Sequence, residues 1–404
     1  MSKVDELVQE LRSDGVERVA LGEVARTVSG LKGKTKADFE GGNARYATYS
    51  NIFNNPILDV SDPSFVRIGD SERQNELKIG DVLVTGSSEV PDEVGMTSAV
   101  VSLPDEPLYF NSFCFALRFD NPKIILPNFS AHLFRSHKIR EQVIRTANGV
   151  TRYNVSKPRF MKVQIPLPPL EVQEEIVRIL DHFVELNREL EQEIAGREKQ
   201  FAIALESMTD LRGAPVRRIA DVCSRVCSGG TPSSKVEKYY GGDIPWVRTQ
   251  DVQMKVIHEA SATITEEGLE ASSAKWIKEN SVIVAMYGAT AAKVALTTIP
   301  VTTNQACCNL EIDPDVADFR FVYYWLMRSY ENLKALGEGS QSNINSAKVK
   351  SFPIPLPPLE VQEEIAAKLD TFTEYIDNLK RERELRQKQY EYYRDQLLDF
   401  EVKE

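Results

Sequence analysis

Along two stretches of the chain apolar residues recur at alternating steps of four and three. The first runs Ile176, Leu180, Phe183, Asn187, Leu190, Ile194, Arg197, Phe201, Ala204, Met208. The second runs Ile365, Leu369, Phe372, Ile376, Leu379, Arg383, Arg386, Tyr390, Tyr393, Leu397, Phe400, each of its first ten positions lying 189 residues beyond its counterpart. A seven-residue repeat sustained in this way predicts a coiled-coil seam on two long helices. About 40 residues at 1.5 Å each would span roughly 60 Å.

Between these stretches the pattern changes. Short β-branched runs, DVLVT (81–85), TSAVV (97–101) and SVIVA (281–285), lie between Gly, Pro and Asn clusters and predict strands. Residues 129–148 and 318–336 have helical patterning and ordinary helix lengths. Each intervening segment therefore reads as an α+β domain with a twisted β-sheet.

The unit occurs twice. Residues 165–176 read IPLPPLEVQEEI, and residues 354–365 repeat the segment letter for letter. Val16-x-Arg18-Val19-Ala20 matches Val216-x-Arg218-Ile219-Ala220, and Gly41-Gly42 matches Gly241-Gly242, both at an offset of 200. Asn111…Cys114…Leu117 matches Asn304…Cys307…Leu310 at 193. A pseudo-two-fold internal repeat follows. Its expected parts are an N-terminal helical extension (1–15), a first domain (16–165), a helical segment (166–211), a second domain (212–355) and a second helical segment (356–404). Pro168-Pro169 suits the first turn of a helix, and Glu171, Glu174 and Glu175 complement its positive end.

Two helices that each follow a domain can pair in either sense. Like surfaces prefer isologous pairing, which predicts antiparallel helices with the two domains at their far ends. Asn187 stands where the other copy has Ile376; it either fixes register as a buried polar residue or occupies a partly exposed seam position.

The formal charge of −11 argues against nucleic acid until its distribution is considered. Residues 166–211 carry 4 Lys and Arg against 11 Asp and Glu, and residues 356–404 carry 8 against 13. The domains are nearly balanced, at 19 against 17 and 16 against 15. A DNA-facing surface is open to the domains and closed to the helical segments. The charged N-terminus lacks the features of a signal peptide, and no apolar run is long enough for a bilayer, so a cytoplasmic protein without membrane contact is expected.

The five cysteines, with two adjacent, form a poor disulfide framework and lack a standard zinc spacing; buried thiols are expected, and no metal site. Catalytic motifs are missing too. Gly33-Lys34-Thr35 lacks the glycine of a phosphate loop, position 28 being valine, and the four histidines have no triad or HExxH spacing.

A globular domain, IPLPPLEVQEEI, a long helix and then all three again resembles the specificity (S) subunit of type I restriction–modification systems, over about residues 16–400. Gly241-Gly-Asp-Ile-Pro-Trp246, Tyr287-Gly-Ala-Thr290 and Thr303-Asn-Gln-Ala306 strengthen the resemblance in the second domain. The first has Gly-Asn-Ala-Arg-Tyr46 instead, so its target should differ. The resemblance implies two target-recognition domains, each reading half of a bipartite, asymmetric site in double-stranded DNA, with helix length setting the spacer. It implies no catalysis and no cofactor in this chain. Two methyltransferase subunits using S-adenosylmethionine would dock on the scaffold, through Pro168, Pro169, Leu170 and Gln173 and through Pro357, Pro358, Leu359 and Gln362. Restriction subunits using ATP and Mg would join them.

Affinity for DNA comes from Lys and Arg on phosphates, and specificity from Arg, Asn, Gln and Thr on base edges. In the first domain the densest basic stretch, 132–162, offers Arg135, Lys138, Arg140, Arg145, Arg152 and Lys157, with Tyr153 and Asn154 nearby. The second domain offers Arg248, Gln250, Gln341, Asn343, Lys348 and Lys350. The bland alternative is a solvated helix face and a surface loop. Two other readings remain: a coiled-coil adaptor that reads no DNA, and a nuclease whose carboxylates are lost among the 60 acidic residues.

Overall fold

The computed structural model describes residues 16–62, 64–337 and 343–400, so the expected extension at 1–15 lies outside the described residues. The chain forms two compact units, Met1–Glu191 with Glu382–Glu404, and Gln192–Arg381.

In the first unit the main sheet has the strand order Ala25–Ser29, Cys114–Phe119, Val82–Thr85, Thr97–Ala99, all antiparallel. Val82 and Val84 join a core with Phe129 and Leu133, whereas Leu83 joins one with Ile52 and Phe110. Both faces of that strand are covered, which is why it reads as a continuous apolar run. A smaller sheet places Ala44–Ala47 between Phe65–Val66, antiparallel, and Leu108–Phe110, parallel.

The second unit repeats this plan. Its main sheet runs Cys223–Ser228, Cys307–Ile312, Val282–Ala285, Val294–Thr297, with Lys255–Ile257 added in parallel at the edge. Its small sheet places Tyr240–Val247 between Thr263–Ile264 and Thr302–Thr303 in the same two senses.

The proline segments close each unit. Gln164–Pro166 pairs with Arg18–Ala20, and Pro353–Pro355 with Val216–Arg218. The registers set Arg18 opposite Pro166 and Val216 opposite Pro355. Structural equivalence at this point is therefore Arg18 with Val216, two residues away from the alignment expected from sequence. Leu21 N–H to Val163 O at 3.0 Å and Ile219 N–H to Phe352 O at 2.9 Å show the same shift. A slip of two leaves every side chain on its own face of a strand, so sequence patterning could not detect it.

The helices expected at 129–148 and 318–336 are each broken, into Pro127–Leu133 and His137–Arg145 and into Phe319–Arg328 and Tyr330–Ala335. At the first break the Ser136 hydroxyl donates back to Leu133 O at 2.7 Å, a local bond that competes with the helix.

The two long helices, Leu170–Met208 and Leu359–Leu397, have 39 residues each. Within the first unit Phe183 stacks on Tyr393 at 5.5 Å, Asn187 Nδ2 donates to Gln387 Oε1 at 3.3 Å, and Glu191 lies 3.7 Å from Arg383. One number rises as the other falls, so the segments are antiparallel. Within the second unit Tyr375 donates to Glu193 at 2.9 Å and Met208 shares an apolar recess with Lys368 and Phe372, the same sense. Ile176, Leu180, Ile194, Ile365, Leu369, Ile376 and Leu379 are buried; Phe183, Asn187, Leu190 and Phe372 are half-buried. The expected seam fails from 380 to 389, where every residue but the half-buried Arg386 is exposed, Arg383 included. Each unit's core takes the start of one long helix and the end of the other: Ile176 and Leu180 with Tyr390 and Leu397, and Ile365 and Leu369 with Leu205.

Candidate DNA interface

The repeated segment first has an internal role. Gln173 is fully buried: its Oε1 accepts from Leu126 N–H at 2.9 Å, and its Nε2 donates to Ile124 O and Pro168 O, both at 2.9 Å. Gln362 repeats the clamp, accepting from Asp318 N–H at 3.1 Å and donating to Pro357 O at 2.8 Å. The expectation that these glutamines contact a partner is corrected, because their polar atoms already satisfy backbone groups within their own unit. Pro168 and Pro357 are buried as well. Of the eight expected docking residues, Pro169, Pro358 and Leu170 are exposed and Leu359 is half-exposed. Exposed glutamates, Glu171 and Glu174 in one copy and Glu360 and Glu363 in the other, flank them.

Two of the basic candidates in the first unit are also corrected. Arg135 donates from Nε and Nη2 to Thr97 O at 2.9 and 2.6 Å and from Nη2 to Phe53 O at 2.9 Å. Arg140 donates to Gly95 O at 2.7 Å, Val94 O at 2.8 Å and Asp92 O at 2.9 Å. Burial pulls both guanidinium groups down to about 10. Arg135 ties the Tyr49–Asn54 helix to the Thr97–Ala99 strand and Arg140 holds the 92–95 turn, both from within their unit. Lys138 is paired with Asp399.

The remaining candidates lie on or near a hairpin. Ala147–Asn148, Tyr153–Val155 and Ser87–Ser88 form a three-stranded sheet. Its turn needs Gly149, whose φ is +137° and where an added Cβ would lie 2.0 Å from Arg152 O. The hairpin presents Val150, 88% exposed, together with Arg152 and Asn154. Arg152 donates from Nε and Nη2 to Ser87 Oγ at 3.2 and 2.9 Å and lies over the Phe113 ring at 5.7 Å. Tyr153 is half-buried opposite Ser88. Arg145 is exposed and, among the described residues, pairs only within its helix, with Glu141 at 3.8 Å. Lys157 lies over the Phe115 ring at 5.1 Å. Sequence reading passed over Phe113, 60% exposed at the turn before Cys114, and Arg159, exposed and bonded to Asn148 at 3.0 Å. Arg159 lay within the basic stretch; Phe113 left no signal, because an aromatic residue beside a buried strand reads as core.

In the second unit Arg248 is half-buried, its Nη2 donating to Ser261 Oγ at 2.9 Å, and Gln250 is exposed. Asn343 Oδ1 accepts from Gly288 N–H at 3.2 Å and so ties its loop to the Tyr287-Gly-Ala-Thr turn. Lys348 and Lys350 share the short helix Ser346–Ser351; Lys348 Nζ donates to Leu336 O at 2.7 Å, and Lys350 is exposed. Gln341 lies outside the described residues. Trp246 is core, donating from Nε1 to Gly230 O at 3.1 Å. Each unit also has a glycine packed against a neighbouring turn: a Cβ on Gly30 would lie 2.1 Å from Asn111 O, and one on Gly229 2.1 Å from Thr303 O.

The cysteines are free; Cys114, Cys307 and Cys308 are buried, and burial pushes the Cys114 and Cys223 thiols up to about 12. Among the described residues no helix is long and apolar enough to cross a membrane.

A fold built twice, with unlike surfaces on its two units, defines a class of internally duplicated α+β proteins. Residues 13–196 and 213–387 each match the family model described as type I restriction modification DNA specificity domain, and the chain belongs to that family. It is 36% identical over 256 residues to the Escherichia coli type I restriction enzyme EcoR124I/EcoR124II specificity subunit, a match covering 59% of this chain and 63% of that protein. It is 30% identical over 192 residues to the Methanocaldococcus jannaschii MjaIX specificity subunit, covering 46% and 44%. The chain thus spans less than two thirds of the length of either relative. A structure from work on assembly and conformational transition of the type I R-M system matches with a TM-score of 0.65 at 20% identity, covering 95% of this chain and 97% of that one. The Type-I restriction-modification S subunit from M. genitalium matches with a TM-score of 0.55 at 13% identity, covering 96% of each. These two likenesses establish the fold.

Proposed function

We propose that the chain reads a bipartite, asymmetric sequence in double-stranded DNA, the first domain (16–165) taking one half-site and the second (212–355) the other. The observation that carries this reading is the contrast between identical helix starts and divergent heads. Two equivalent surfaces suit two copies of one partner, while two unlike heads suit two unlike half-sites. The partners are two methyltransferase subunits, met at Pro169, Leu170, Pro358, Leu359 and the flanking glutamates, and restriction subunits that join them in the cytoplasm. The chain itself is non-catalytic. Methyl transfer from S-adenosylmethionine and ATP- and Mg-dependent cleavage belong to those partners, and the paired helices set the spacer.

Phosphate contact falls to Arg145, Lys157 and Arg159 in the first domain and to Lys350 in the second. Sequencing of methylated bases in the source cell, with and without the gene, tests the whole reading. Loss of one split motif on deletion is the expected result. An unchanged methylation pattern would favour the adaptor reading instead.

A further inference from the structure

The first unit holds an open cavity of about 460 Å³ whose lining includes Tyr49, Ser87, Glu89, Glu93, Phe113 and Arg152. Its geometry is fixed from below. The Tyr49 hydroxyl donates to Ser87 O at 2.7 Å, and its ring stacks with Phe53 at 6.0 Å. Ser87, buried in the three-stranded sheet, holds Arg152 through Nε and Nη2, and Phe113 lies against the guanidinium face. The Nη1 donors have no partner among the described residues. A planar fork clamped by a hydroxyl and an aromatic ring is pre-organised for bidentate recognition.

The two carboxylates decide what the fork can take. A phosphate presents only acceptors, so Glu89 and Glu93 would repel it. A base-pair edge in the major groove presents acceptors and a donor side by side. Guanine offers O6 and N7 to one arginine, and its paired cytosine offers the N4 amine to a carboxylate. An A·T pair separates its two acceptors by the adenine amine and gives the fork no adjacent pair.

We propose that this cavity reads a G·C base pair of duplex DNA, with Arg152 on guanine and Glu89 or Glu93 on cytosine. The inference rests on the DNA-reading function proposed above, and it moves Arg152 from phosphate contact to base contact. It also makes the cavity a feature of the first half-site. At the repeat offsets of 200 and 193, Tyr287, Gly288 and Ala306 stand in the second unit where Ser87, Ser88 and Phe113 stand in the first.

The test is sequencing of methylated motifs in cells carrying the full chain and its partner subunits, as wild type, Arg152→Lys, Arg152→Ala, Glu89→Gln and Glu93→Gln. Arg152→Lys keeps the charge that a phosphate needs and replaces the held planar fork by a flexible ammonium, a weaker reader of guanine O6 and N7. The expected result is relaxation by about 5- to 150-fold at one G·C position of one half-site, with the other half unchanged. One of the two glutamine variants should relax the same pair. An Arg152→Lys motif identical to wild type, or wild-type half-sites made only of A·T pairs, overturns the inference. If Arg152→Ala erases every mark through misfolding, Arg152→Lys and the glutamine variants still decide. A wild type with no chain-dependent split motif would instead sink the DNA-reading function itself.

Discussion

Asp181 Oδ1 lies 2.8 Å from His132 Nε2, and the other ring nitrogen of His132 lies 2.9 Å from the Tyr390 hydroxyl. The second unit keeps the position and changes the chemistry. Asp370, at the offset of 189 from Asp181, accepts from the Tyr324 hydroxyl at 2.7 Å, and Phe201 packs on Tyr324 at 6.3 Å where Tyr390 packs on His132 at 5.9 Å. The two pairs are alternative solutions to one problem, a carboxylate on a long helix that needs a donor from its head.

The exchange can be made in the laboratory. His132→Tyr alone should overpack against Tyr390, and Tyr390→Phe alone should leave His132 Nδ1 without its partner; each is expected to cost about 1–3 kcal/mol. Together they rebuild the second unit's pair. Denaturant unfolding should therefore show a coupling energy of about 1 kcal/mol or more in favour of the double variant.

The same carboxylate gives a pH dependence. Burial pushes Asp181 up, but hydrogen bonds from His132 and Asn128 outweigh it and hold the group below the ordinary carboxylate value. A folded value below the unfolded one means stability that is present above about pH 4 and lost as pH falls through the folded value. Asn128→Ala should flatten this acid limb, measured as unfolding midpoint against pH from neutral downward.

Gln173 supplies three backbone partners and Gln362 two. Alanine at either should cost about 2–4 kcal/mol, with Gln173→Ala the worse, because buried and half-buried backbone groups lose a hydrogen-bond partner. Gln173→Glu should be worse still at neutral pH, since a carboxylate cannot donate to Ile124 O and Pro168 O. Thermal unfolding of the full chain checks both.

Asn187 Oδ1 is buried without a partner among the described residues, and the equivalent residue is Ile376. Asn187→Ile is expected to raise stability by about 1 kcal/mol by removing an unsatisfied acceptor from the seam. A fall in unfolding midpoint would show that the Nδ2 bond to Gln387 outweighs that acceptor.

Arg145→Ala should weaken duplex binding evenly across sequences and reduce the slope of log K against log salt by about one. Arg135→Ala and Arg140→Ala should lower the unfolding midpoint and leave that slope unchanged. Titrations of the complex at several salt concentrations separate the two classes.

The doubling, the two long helices and the α+β character of the heads were legible because each is periodic. A heptad seam, an alternating strand and a verbatim repeat are all local patterns. The reason for the repeat was not legible. IPLPPLEVQEEI reads as a surface for partners, and only the fold shows Gln173 and Gln362 turned inward to clamp their own units. Arg135 and Arg140 misled for the same cause, since a basic run gives charge but not direction. Their guanidinium groups point at the backbone carbonyls of 53, 92, 94, 95 and 97, which are distant in sequence. Phe113 and Arg152 meet across 39 positions, and Ser87 lies still further back. Periodicity along a chain records which face of an element is apolar. Which polar groups find one another depends on how the elements pack, and that is decided only in three dimensions.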